Sequence, residues 1–69
     1  MTNEETKIRE IEHRINARID CAARDFETYG RNDFNESQKF RIYGMIETLQ
    51  ILTGKEYYFD ANGLHERKV

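Results

Sequence analysis

The sequence predicts a mainly α fold, in which two antiparallel helices form a hairpin and a short C-terminal β-hairpin, or an extended aromatic tail, follows. Three observations predict this fold. Residues 2–30 carry apolar side chains at uninterrupted helical spacing, residues 35–54 carry a second helical pattern, and residues 55–69 change to an alternation typical of strands. The 69 residues contain no proline, so we expect one domain over residues 1–69.

The first helix is predicted over residues 3–29. Thr2 is a suitable N-cap, and Glu5 stands three residues later, as in a capping box. Gly30 is suited to end the helix in a left-handed conformation. At about 100° per residue, the apolar side chains fall within an arc of roughly 80°, which predicts packing against another helix. This apolar seam consists of Ile8, Ile11, Ile15, Ile19, Ala22, Phe26 and Tyr29.

The second helix is predicted over residues 36–53, with Asn35 as its N-cap and Gly54 as its C-cap. We expect one broad apolar face of this helix to pack on the first helix. The residues of that face are Ile42, Met45, Ile46, Leu49 and Leu52.

A second apolar group lies on nearly the opposite side of this helix, where Phe40, Tyr43 and Ile51 gather around Gly44. A helix that is apolar on two sides is expected to have two neighbours. Gly44 costs up to about 1 kcal/mol of helix stability relative to alanine, which a closely approaching backbone or ring would offset.

The tail, residues 55–69, is predicted to form strands near 56–61 and 64–68. Asn62-Gly63 is a preferred pair for a two-residue hairpin turn. A lone hairpin is only marginally stable, so it is expected to lie on the helices or on another chain.

This turn predicts that Phe59 opposes Glu66, and that Tyr58 and Arg67 stack on one face of the hairpin. The other face is predicted to be apolar. Its residues are Tyr57, Phe59, Ala61 and Leu64.

The two predicted helices differ in length, which leaves apolar surface to be covered. At about 1.5 Å per residue, the first helix is about 14 Å longer than the second, so Ile8 and Ile11 are expected to overhang. The tail can cover either this overhang or the outer side of the second helix, but not easily both. We therefore expect self-association, with a dimer as the simplest oligomer, through the surface that remains.

Composition excludes several classes of protein. The 11 basic and 13 acidic residues give a net charge of −2, so neither a strongly basic nucleic-acid-binding protein nor a strongly acidic DNA mimic is indicated. No apolar run reaches the length of about 18 residues that spans a membrane. Cys21 is the one cysteine, and the N-terminus has no signal-peptide pattern, so a reducing cytoplasm is the expected setting.

Few residues suggest catalysis or metal binding. Glu10 and His13 have the Glu-x-x-His spacing of di-iron bundles, with Glu47 as a partner on the second helix. However, Glu10 and His13 project away from the apolar seam, which favours a solvated helix surface. Cys21 has no oriented base that the sequence identifies. We therefore predict no enzyme, no catalytic residue, no metal and no cofactor.

Our first hypothesis is a non-enzymatic protein-interaction module, because clustered aromatic side chains make plausible anchors for a partner protein. The same residues can instead form the seam of a dimer, and both uses stay open. The predicted interaction residues are Phe40, Tyr43, Gly44, Ile51, Tyr57 and Tyr58.

Two alternatives follow from other side chains. An oligomer could bind nucleic acid through Arg9, Arg14, Arg18, Arg24 and Arg31, although three of these arginines follow an acidic residue at the i−4 position. The weaker alternative is an enzymatic or small-ligand-binding oligomer. Its pocket would be formed between subunits by Tyr57, Tyr58 and His65.

The predicted chain consists of a charged helix, a second helix that ends in residues 52–55 (LTGK), and a tail that includes residues 57–66 (YYFDANGLHE). In size and arrangement it resembles small accessory proteins of phages and prophages from Gram-positive bacteria. This resemblance implies a protein that binds and modulates or inhibits a host protein, and it assigns no functional residue.

Overall fold

The computed structural model describes residues 2–68 and confirms a mainly α fold with a helical hairpin and a C-terminal β-hairpin. Met1 and Val69, the two ends of the predicted domain, lie outside the described residues. The two strands are antiparallel and adjacent in the chain. The elements are helix α1 (Asn3–Tyr29), helix α2 (Asp33–Thr53), strand β1 (Glu56–Asp60) and strand β2 (Gly63–Arg67).

Helix α1 begins and ends at the predicted residues. The Thr2 hydroxyl accepts a hydrogen bond from the backbone N–H of Glu5 at 3.1 Å, which confirms Thr2 as the N-cap. At the other end, the N–H of Gly30 donates to the carbonyl of Phe26 at 2.8 Å. Gly30 has a φ of 73° but an extended ψ of −172°, so it is not in the predicted left-handed helical conformation.

Helix α2 starts earlier than predicted, because its N-cap is Asn32 and the assignment of Asn35 as N-cap was wrong. Asn32 accepts from the N–H of Asn35, which in turn accepts from the N–H of Asn32, as in a capping box. The buried Asn35 amide also donates to Asp25 of α1 at 3.0 Å and to the carbonyl of Gly30 at 2.8 Å. These contacts join the two helices through their connection.

The core lies between the helices and under the hairpin. Leu52 was predicted to face the core, but it lies at the edge of the core and is 58% exposed. Phe26 and Tyr29, the last residues of the apolar seam, are also exposed. Ile8 and Ile11 are partly buried against the core, together with Ala22, Met45, Tyr57, Phe59 and Leu64. The buried core residues are Ile15, Ile19, Ile42, Ile46 and Leu49.

The register of the hairpin differs from the prediction, because Phe59 opposes Leu64 rather than Glu66. The two loop residues are 61 and 62, one residue earlier than predicted. A tight turn at Asn62-Gly63 needs a positive φ at Asn62, and no described residue other than glycine has one. The shift moves each pairing by two residues along β2, so the same side chains stay on the same face.

A contact with α1 holds the hairpin in this register. The N–H of Leu64 donates to Oδ1 of Asn16 at 2.8 Å. On the other strand, the N–H of Tyr57 donates to Oε1 of Gln50 at 2.9 Å. Strand β2 therefore contacts α1 and strand β1 contacts α2, so that the hairpin lies over the groove between the helices.

Candidate protein-interaction surface

The side of α2 that faces away from the core carries large apolar side chains that the described chain leaves exposed. Phe40 is 71% exposed and Ile51 is 76% exposed. They lie 11 positions apart in the sequence and share one side of the helix, about 16 Å apart along its axis. We call this surface the outer face of α2, and it consists of Phe40, Tyr43, Gly44, Glu47 and Ile51.

Gly44 lies in the middle of the outer face and has open space beside it. A Cβ atom built on Gly44 would meet no atom within 4 Å. The close neighbour that would offset the helix-destabilising effect of glycine is therefore not within the described chain. Gly44 also leaves a shallow gap between Phe40 and Ile51, into which a side chain or backbone of another molecule can fit.

Tyr43 connects the outer face to the hairpin. Its ring packs edge-on against the ring of Phe59, with centroids 5.2 Å apart and an interplanar angle of 61°. Tyr43 is still about half exposed, so it keeps a solvent-facing edge. Tyr57, another predicted interaction residue, packs instead against the core and is partly buried. Tyr57 is therefore a structural side chain that packs between the hairpin and the helices.

Tyr58 lies on the opposite face of the hairpin from Tyr57, because successive side chains of a strand alternate. The ring of His65 stacks on Tyr58 with centroids 5.1 Å apart, and the Arg67 guanidinium lies 5.5 Å from the ring centroid. The predicted stacking of Tyr58 and Arg67 is confirmed. Tyr57 faces the other way, so the three side chains predicted to form a pocket between subunits, Tyr57, Tyr58 and His65, do not share one face of the hairpin.

The outer hairpin face also contains a histidine–carboxylate contact that the sequence did not reveal. Nε2 of His65 lies 3.0 Å from Oδ1 of Asp60. This hydrogen bond, with a second from the N–H of Asn62, holds the pKa of Asp60 below its usual value. At the other end of the hairpin, Nζ of Lys55, the residue before β1, lies 3.3 Å from Oε1 of Glu66 in β2, and this hydrogen bond raises the pKa of Lys55.

An open groove of about 460 Å³ lies at the end of the molecule where the helices connect. Its rim includes Arg31, which pairs with Glu36 at 2.9 Å, and Lys39. The sequence did not predict this groove, although the apolar seam extends past the point that the hairpin tip reaches. The apolar lining consists of Ile19, Ala22, Ala23, Phe26, Ile42, Phe59 and Ala61.

The arginines of α1 are partly neutralised, as the sequence predicted. Arg14 pairs with Glu10 at 2.7 Å and Arg24 pairs with Asp20 at 3.1 Å, all with exposed side chains. Glu5 and Arg9, predicted to pair in the same way, form no ion pair in the described chain. With the Arg31–Glu36 pair, the electrostatic attraction for phosphate is therefore weakened at three of the five arginines.

Within residues 2–68, no group of three or more His, Cys, Asp or Glu side chains is arranged to hold a metal ion. Cys21 is a free, exposed thiol. Neither described helix combines the length and the apolar character that crossing a membrane requires.

Comparison with known proteins gives no relative from which a role could be transferred: no protein-family model, no curated protein and no solved structure matches the chain.

Proposed function

We propose that the chain is a small non-enzymatic protein-interaction module, which acts by burying the outer face of α2 against another protein. The observation that carries this proposal is the exposure of Phe40 and Ile51 on either side of an unfilled Gly44. Aromatic and aliphatic anchors around a shallow gap are the features on which binding energy concentrates in protein interfaces.

The mechanism that we propose is steric. A standard interface buries about 800 Å² on each partner. The described chain exposes 5433 Å² in total, so one such contact would occupy about a seventh of its surface. A module of this size thus covers a patch of its partner comparable to its own width, which is sufficient to block a binding or catalytic surface.

The proposed setting follows from the free thiol and from the resemblance to small phage proteins. The exposed Cys21 has no disulfide partner in the chain, which suits a reducing cytoplasm. The resemblance implies that the partner is a host protein whose activity the bound module modulates or inhibits.

A photo-crosslinking experiment tests the proposal. A photoreactive phenylalanine analogue replaces Phe40, and in a matched control it replaces Phe34, which is 47% exposed on the same helix about 120° away. In cells of the native host, we expect a protein adduct from position 40 and little or none from position 34. Equal adducts at both positions, or none at position 40, would refute the proposal.

A further inference from the structure

We infer that the outer face of α2 binds the same face of a second copy of this chain, as an antiparallel helix pair centred between Gly44 and Glu47. This assignment rests on the proposed function, since it uses the same interaction surface, for which a host protein would have to compete with the second copy. Three observations support it: the exposed area of the chain, the spacing of the outer-face residues, and the position of Glu47, the one charged residue of the outer face.

The exposed area is larger than that of a compact monomer. The area scaling of folded monomers gives about 4,600 Å² for a mass of 8.3 kDa, whereas the described chain exposes 5433 Å². The excess of about 800 Å² matches what one partner buries in a standard interface. A dimer would therefore restore the surface expected for a protein of this size.

The spacing of the outer-face residues suits a helix as the partner. Phe40, Gly44, Glu47 and Ile51 follow one another at intervals of four, three and four residues, the spacing that keeps a seam against a neighbouring helix. In an antiparallel pair centred between Gly44 and Glu47, Phe40 of each copy opposes Ile51 of the other. The contact between Phe40 and Ile51 therefore forms twice in the dimer, and it covers both apolar side chains of each copy.

Glu47 decides between the two orientations of the pair. Its side chain forms no hydrogen bond or ion pair in the described chain. A parallel pair would bring the two Glu47 carboxylates together in the seam, where like charges repel. The antiparallel pair places each Glu47 opposite Gly44 of the second copy, where the missing side chain leaves room.

Sedimentation equilibrium tests the surface with matched pairs of variants. Phe40→Gln with Ile51→Gln should raise the dimer dissociation constant at least about tenfold, because both anchors are lost. The control changes Phe34→Gln with Leu52→Gln, two exposed apolar residues of α2 outside the outer face, and should change it less than about twofold. A wild-type chain that stays monomeric up to about 1 mM, or an equal effect of both pairs, would overturn the inference.

Spin labels test the orientation. With Ser37→Cys in a Cys21→Ser background, the labels of an antiparallel dimer should lie more than about 25 Å apart, since 17 residues separate their levels along the helix pair. A distance below about 15 Å would overturn the antiparallel arrangement.

The crosslinking at position 40 separates this inference from the proposed function. An adduct with twice the mass of the chain supports the inference, and a second adduct with a host protein is needed to support the proposed steric function as well. An adduct with a different protein, from a chain that sediments as a monomer, overturns the inference and leaves the proposed function standing. If position 40 gives no protein adduct, both are refuted.

Discussion

Gly63 is where the hairpin comes closest to α1, and replacing it with alanine tests how the hairpin is held. Gly63 has a φ of 132°, a conformation that side-chain-bearing residues rarely adopt, and its added Cβ would lie 2.7 Å from Oδ1 of Asn16. That same oxygen accepts the hydrogen bond from the N–H of Leu64. The Asn16 side chain can rotate away from the new methyl group, but the hydrogen bond to the strand is then lost.

The expected destabilisation is the sum of these two effects. A strained backbone conformation costs about 1–3 kcal/mol, and the hydrogen bond contributes about 0.5–1.5 kcal/mol. Gly63→Ala should therefore lower the free energy of unfolding by about 2–4 kcal/mol. A domain of this length has a total stability of only about 3–10 kcal/mol, so the change is a large fraction of it.

Urea unfolding followed by circular dichroism, at one low protein concentration, measures this change. Asn16→Ala alone should cost about 0.5–1.5 kcal/mol, since it removes the acceptor. In the double variant, Gly63→Ala should cost only the backbone strain, because the clash and the hydrogen bond are already gone. If Gly63→Ala changes stability by less than about 0.5 kcal/mol, or if the two changes are additive, the hairpin is not held through this contact.

Three further predictions concern the helix connection, the outer face and the hairpin. Asn35→Ala removes three hydrogen bonds at a buried site and should lower the free energy of unfolding by about 2–4 kcal/mol in the same assay, whereas the exposed Ser37→Ala should stay within about 0.5 kcal/mol. Gly44→Ala should raise the stability of the monomer by about 0.5–1 kcal/mol, because its Cβ meets open space; a loss would contradict that geometry. The depressed pKa of Asp60 means that its ionised form stabilises the fold above about pH 4, and that this contribution is lost as the pH falls through the folded-state pKa. Carboxyl titration by NMR should show the Asp60 pKa rising in His65→Gln, and an unchanged pKa would refute the assigned cause.

The parts of the fold that follow from neighbouring residues could be predicted from the sequence. The bounds of α1, the N-cap at Thr2 and the C-cap at Gly54 depend on residues within one helical turn. The N-cap of α2 and the register of the hairpin could not be predicted in the same way. Asn35 is held by Asp25, 10 residues away, and Leu64 is held by Asn16, 48 residues away. In both places, local sequence preferences favoured a different N-cap or register, and a contact between residues distant in the sequence determines the one that forms.

The same distinction between local and long-range contacts applies to the candidate surface. The outer face of α2 could be predicted because the angle between Phe40 and Ile51 depends on a single helix. The separation of Tyr57 from Tyr58 followed from strand alternation. The groove at the helix connection could not be predicted, because it needs α1, α2 and the hairpin tip together.

The position of the hairpin explains why the outer face stays open. Phe59 and Leu64 must lie over the groove between the helices to cover Ile15, Ile42 and the rest of the core. Two strands of five residues cannot do this and also reach the far side of α2. Replacing Phe40 with a polar residue should therefore leave the stability of the single chain nearly unchanged. The apolar character of Phe40 and Ile51 is not needed to fold one copy, which is why we propose that these side chains contact another protein surface.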